Sequence, residues 1–336
     1  MKHSLVIYFL LLSVPIFAQI RLEATGATAH DSLPPAIGHK SYLGSPHTLP
    51  APQQTSVQEI NWTKFGIASG LMAGSFVGLY FIEKSWWPDS DRTAFHIQDD
   101  PDYEKNYDKF GHGFGAYYTS HFFQEAFAWS GIDSSQSYLL GAVCGAMYEF
   151  YVEIEDGFGK SWGFSPGDAK ADLIGASFFL LRNRVDFFRN FQYKWLYYPN
   201  ADSLYFASHS TYNPIDDYEG QSYWFTADIH RMLPESWKDY WPMWLNLAFG
   251  IGGIGLETFD TNSPTGNPYD NRHKAYYLSL DFDMEKIIPE SDIGIINFIR
   301  RGLSYWHLPA PAYRISPDPR FFVLFPFHMT IGSHAH

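Results

Sequence analysis

D-K-F-G-H at 108–112, Y-E-F-Y-V-E at 148–153 and S-P-G-D-A-K-A-D-L-I-G at 165–175 each carry two ionisable side chains four residues apart in an otherwise apolar pattern. A step of four returns to the same face of a helix, so Asp108 with His112, Glu149 with Glu153, and Asp168 with Asp172 each mark one polar face. Three acidic faces in successive helices can turn toward one another, which makes a candidate site. No nucleophile elbow, phosphate loop, Cys-rich metal motif or dinucleotide fingerprint accompanies them. The stretch gives an architecture and a place for chemistry without naming a reaction.

Working outward, the helix that begins at Asp108 is expected to reach Trp129 and to end at Gly131. Asp133, with Gln136 three residues later, can cap the next helix, Ser137 to about Glu155. Ser165 can cap the one after it, with Pro166 in the first position and the end near Leu181. Upstream, Phe65 to Ile82 carries no charge and has about the length of a membrane span. Gly66, Gly70, Gly74 and Gly78 recur within it at every fourth residue, a spacing that lets another helix backbone come close. Lys64 before it and Glu83-Lys84-Ser85-Trp86-Trp87 after it read as interfacial anchors. The other reading of this run is the buried central helix of a soluble bundle.

After Pro199 the helical period gives way to short alternating or aromatic runs. Leu204–Ser208, Ser222–His230, Trp244–Ile254, Ala275–Met284 and Phe321–Ile331 are separated by clusters such as N-P-I-D-D-Y-E-G, as antiparallel strands require. The expected fold class is α+β: a membrane-associated bundle of about four helices over 59–198, followed by an aromatic-rich antiparallel β region over 199–336. A small membrane barrel is under-supplied by five runs, since eight strands is the usual minimum.

The first 18 residues join a basic start to an apolar run ending at Ala18, the pattern of a secretory signal. Residues 19–58 are poor in large apolar groups and read as a flexible tether. Aromatics make up 19% of the chain, which suits either a membrane-facing surface or a large core. The formal charge of -13 argues against a nucleic-acid partner. The single cysteine, Cys144, falls in an apolar helical pattern, so there is no disulfide framework. Four membrane crossings after a cleaved signal would leave Arg182, Arg184, Arg189 and Lys194 outside, against the usual inward bias of basic residues. The expected address is therefore the envelope, on the periplasmic or outer-membrane side, rather than a polytopic inner-membrane protein. Membrane lipid and an envelope protein are the expected partners.

D-K-F-G-H at 108–112, Glu149 and W-G-F-S-P-G-D-A-K-A-D-L-I-G-A at 162–176 resemble the YfiM-type predicted periplasmic lipoproteins and, more distantly, the VanZ-like membrane proteins. The resemblance covers roughly residues 105–182. It implies an envelope-associated helical domain of no established activity, with Asp108, Lys109, His112, Glu149, Asp168, Asp172 and Gly175 as motif positions. Two departures stand out: no cysteine follows the signal to carry a lipid, and Asp172 stands where the VanZ-like pattern tends to have Asn.

His112 and Glu149 fall on mostly apolar helices, where an uncompensated charge costs several kcal/mol or forces a large pKa shift. Mutual pairing is their simplest satisfaction, which predicts a polar network that holds the bundle together. Asp168 also suits the first turn of its helix, where a carboxylate meets free N–H groups. A second reading gathers a divalent metal on His112, Glu149, Glu153 and Asp172, a donor set that hard or borderline cations accept in bundle cores. A metal there could activate water against a lipid or cell-wall bond, with Asp108, His112, Glu149 and Asp168 as the catalytic candidates. The functional expectation is thus a structural or interaction protein of the envelope, with a metal-assisted hydrolase as the alternative.

Overall fold

A computed structural model describes residues 59–82, 87–98, 103–199, 215, 217–256 and 272–327. The expected signal, the tether, the 204–208 run, Glu83 to Trp86 and positions 328–331 of the last run lie outside these residues. The fold is α+β. Four long helices come first: α1 Trp62–Ile82, α2 Asp108–Trp129, α3 Ser134–Asp156 and α4 Pro166–Arg184. An antiparallel sheet follows, with β1 Phe191–Tyr197, β2 Gln221–Ala227, β3 Leu245–Ile254, β4 His273–Phe282, then helix α5 Gly294–Leu303, and finally β5 Ala310–Ser316 and β6 Arg320–Phe325. Its strands lie side by side in chain order.

Local chemistry sets the helix ends. Asp133 accepts hydrogen bonds from the N–H groups of Ser135 and Gln136, and Ser165 accepts one from Asp168, with Pro166 opening α4. Gly131 stops α2 at a φ of +87°, a conformation that glycine adopts without strain.

α1 packs on one side, but not on the side its glycines suggested. Ala68, Met72, Phe76 and Leu79 are buried. Phe76 lies against Phe123, Tyr148 and Tyr151. A Cβ added at Gly66, Gly70, Gly74 or Gly78 would meet nothing within 4 Å. The glycines are offset by two residues from the buried row, or about 200° around the helix, so packing the bulky row turns the small one outward. Burial of large apolar groups, about 1.5–3 kcal/mol each, outweighs the dispersion that a glycine groove offers. Trp87 is no interfacial anchor either: it is buried, and its indole N–H donates to Asp156 at 2.5 Å. With its open surroundings, Gly70→Ala should raise stability by about 0.5–1 kcal/mol through helix propensity alone. Thermal unfolding that showed a clear loss would restore the packed glycine face.

The sheet holds two strands that the sequence pattern does not mark, β1 and β5. Residues 191–197 continue the basic stretch that runs from Arg182 to Lys194, yet Lys194 is fully buried, with its ammonium 2.8 Å from the equally buried Asp281. Along β1 to β4 the polar or small residues turn inward: Gln192 and Lys194, Ser222 and Thr226, Asn246 and Ala248, Ser279 and Asp281 are all buried. The outward positions Leu247, Phe249, Leu278, Tyr313, Phe321 and Val323 are exposed. The covered face also carries the apolar cluster of Leu196, Trp224, Tyr277, Phe322 and Phe325, so the sheet differs from the usual half-buried one in being apolar on its exposed face as well. The sheet is strongly curled. Trp224 of β2 reaches Phe325 of β6, and Trp195 on the free side of β1 pairs through its backbone with Tyr305 and His307.

The bundle covers the outer face of β1 and the Tyr223 part of β2, leaving Phe225 exposed. Phe114 meets Tyr193, Trp195 and Tyr223, while the Tyr107 hydroxyl donates to the Gln221 carbonyl at 2.8 Å. Helix α5, also unmarked by the sequence pattern, leaves Ile295, Ile296 and Ile299 exposed and ties back to α2 through a bidentate contact of Arg301 with Glu125 at 2.6–2.8 Å.

Candidate functional site

The polar centre exists because α2 and α4 touch backbone to backbone. A Cβ on Gly175 would stand 2.8 Å from the carbonyl carbon of Gly113 and 3.0 Å from its Cα. His112 adjoins Gly113, and Asp172 lies on the Gly175 face of α4. This crossing therefore sets the imidazole Nδ1 3.2 Å from Asp172 Oδ1. The other ring nitrogen is 3.5 Å from Glu153 Oε1, on α3. Gly115 makes room for Glu149, since a Cβ there would come within 2.6 Å of the Glu149 carboxylate. Glu153 also accepts the Ser165 N–H at 3.0 Å, which joins the start of α4 to α3. Asp168 accepts from the Lys109 ammonium at 3.0 Å, and Asp108 lies 3.6 Å from the same ammonium.

Charge is unbalanced in this centre. Burial pushes the Glu149 carboxyl up to about 8, helped by the neighbouring Asp172 and opposed by His112. Glu153 is pushed up to about 9, again chiefly by burial, with His112 opposing and Asp168 and Asp156 adding. The Asp172 carboxyl is raised by burial against the pull of His112. Burial alone would lower the His112 pKa, but the hydrogen bond to Asp172 and the charges of Asp172, Asp168 and Glu153 outweigh it and hold it well above the ordinary value. These neighbours favour the protonated ring, which is hydrogen-bonded to Asp172 and lies within ion-pair distance of Glu153. Asp172 is fully buried, and its Oδ2 has no hydrogen-bond partner among the described residues.

Two sets of donor atoms converge within 4.8 Å of one another: His112, Glu149 and Asp172, and His112, Glu153 and Asp168. The expected ligands therefore divide into two triads that share the imidazole. His112 and Glu149 fall in one cluster, although the direct partners of His112 are Asp172 and Glu153. Asp108 sits at its edge beside Lys109. Lys109, a motif position to which the sequence gives no role, pairs with Asp168 through its ammonium; no spacing in the sequence points to that pairing. His230 and His273 belong to the sheet region.

Residues 98–184 match the model of a family described as "Predicted periplasmic lipoprotein (DUF2279)". The match spans about a quarter of the chain, from the approach to α2 to the end of α4, and includes every residue of the polar centre. It supports an exported, envelope-associated protein, and does not extend to the VanZ-like proteins. The chain's one cysteine, Cys144, is buried in α3, out of reach of lipid attachment. Neither the curated proteins nor the solved structures contain a match.

Proposed function

We propose that this exported, envelope-associated protein holds a divalent cation in its helical bundle, on His112, Glu149 and Asp172, with Glu153 and Asp168 around them. The observation that carries the reading is Asp172: a fully buried carboxylate with an oxygen that has no partner among the described residues, inside a cluster whose carboxyl groups outnumber the described cations beside them. One imidazole with several carboxylates suits Mn²⁺, Fe²⁺ or Zn²⁺ better than a soft ion. The cation's task is structural first, because it would tie α2, α3 and α4 at their crossing. The partial exposure of His112, 20% of its side chain, favours a second task, for which a cation held by His112, Glu149 and Asp172 would supply water activated for hydrolysis of a lipid or cell-wall bond. Membrane lipid is the proposed surrounding. α1 supports this, being the described helix long and apolar enough to cross a membrane by length and composition, with Ile67, Leu71 and Phe81 exposed.

Calorimetric titration of the metal-stripped chain with Mn²⁺ and Zn²⁺ tests the centre. Saturable binding that Asp172→Asn weakens at least tenfold is expected. If the ions do not bind, or bind the variant equally well, the cluster is a proton-sharing network without a cation.

A further inference from the structure

On the other side of the bundle from the Trp87 end, the start of α3 and the end of α4 enclose a cleft of about 570 Å³ with Arg182, Arg184, Arg189 and Arg231 in its wall. In a chain of formal charge -13, four guanidinium groups around one hollow are a local reversal of sign. The nearby acids offset only part of it. Asp133, in the wall, is engaged as the cap of α3, while Asp186 pairs with Arg231 at 2.6 Å and more distantly with Arg189 at 3.9 Å. Guanidinium groups with their fork of donors are the side chains that suit phosphate oxygens best.

The cleft also adjoins apolar surface. Phe187 beside Arg189 is 60% exposed, a costly place for a large ring in water. Phe188 touches Phe178, and Phe178 touches Phe225 on the outer face of β2. From there the outward residues continue across the strands in register: Phe225 opposite Phe249, Phe249 opposite Leu278, Leu278 opposite Tyr313, and Tyr313 opposite Phe321. This row is exposed from end to end and uncharged. At the Leu245 end of the strands, Trp237, Tyr240 and Trp244 are exposed as well, the residues that favour a membrane–water interface. β3 and β4, at ten residues each, match the strand length used in bilayers.

We propose that the arginine cleft and the outer wall of β2–β6 form one lipid-binding surface, with the phosphate of an anionic lipid headgroup in the cleft and acyl chains along the wall. Lipid is the occupant that fits both halves: phosphate for the arginines, and hydrocarbon for a convex apolar wall whose polar groups are turned inward. This surface is separate from the carboxylate cluster and does not depend on a cation there.

Flotation of the full chain with vesicles tests it, comparing pure phosphatidylcholine with phosphatidylcholine containing phosphatidylglycerol. The wild type should favour the anionic vesicles several-fold. Arg184→Gln with Arg189→Gln should remove that preference while binding to neutral vesicles remains, since α1 is untouched. Leu278→Asp with Phe249→Asp should reduce binding to both. Equal binding of wild type to both vesicles, or an unchanged preference in the arginine variant, would overturn the headgroup site. Abolition of the preference by millimolar inorganic phosphate would reassign the cleft to free phosphate. An unaltered affinity in the Leu278/Phe249 variant, with an oligomer turned into a monomer instead, would give the wall to a second copy of the chain.

Discussion

Gly175→Ala should be among the most damaging single-methyl changes in the molecule, lowering stability by about 2–3 kcal/mol, at the upper end of the usual cost of overpacking. Elsewhere in a helix the same change gains up to about 1 kcal/mol of propensity, so the sign itself is informative. What the new methyl meets is the backbone of Gly113, which cannot rotate aside as a side chain would. α4 must therefore move away from α2, and the movement lengthens the contact between His112 and Asp172. Thermal unfolding of Gly175→Ala beside Gly70→Ala gives the test: a drop for the first and a rise for the second. Two variants of equal stability would mean that α2 and α4 do not cross at these glycines.

That contrast also marks how far the sequence could be read. The end of α2 and the start of α4 are legible because Gly131, Ser165 and Pro166 act through their own backbone neighbourhood, whereas α4 runs past the expected Leu181 to Arg184 and α3 begins at Ser134 rather than Ser137. The pairs at four-residue spacing were legible for the same reason, and they placed His112, Glu149, Glu153, Asp168 and Asp172 on faces that do converge. Which glycine row packs was not legible. Both the Gly66–Gly78 row and the Gly113/Gly175 pair suit close approach, and the choice fell to Met72, Phe76 and Leu79, which bury more area than a glycine groove could. β1 is not legible because a lysine in mid-run, Lys194, breaks the pattern of a buried strand. Its partner, Asp281, lies on β4, and no local pattern announces an ion pair between strands so far apart in the chain. The inward turn of polar residues in the sheet is likewise a property of the curl, which only long-range pairing creates.

The polar centre as a whole should make the fold sensitive to pH, with a sign that follows from proton linkage. Glu149 and Glu153 ionise near an ordinary 4.5 when unfolded, but near 8 and 9 in the fold. A group with a raised folded pKa contributes stability that is fully present below its unfolded value and is lost as pH rises through its folded value. His112, raised above its ordinary 6.5, acts in the same direction. Metal-free protein should therefore lose stability from about pH 6.5 to pH 9, by several kcal/mol in all, since each tenfold difference in proton affinity between fold and unfolded chain is worth about 1.4 kcal/mol; below pH 6.5 His121 and His307, which burial pushes down to about 3, oppose the loss. A cation in the centre changes the outcome because it replaces those protons and binds more tightly as they leave. At a hundredfold excess over its dissociation constant it should restore about 2.7 kcal/mol. Unfolding curves at pH 5, 7 and 9, with and without Mn²⁺, read both effects in one series. Glu149→Gln with Glu153→Gln supplies the control, since the neutral amides mimic protonated carboxyls and should flatten the metal-free profile. A wild-type profile already flat would mean that the carboxylates find counter-charge within the fold, whereas a steep profile unmoved by the ion would leave protons as the only occupants of the cluster.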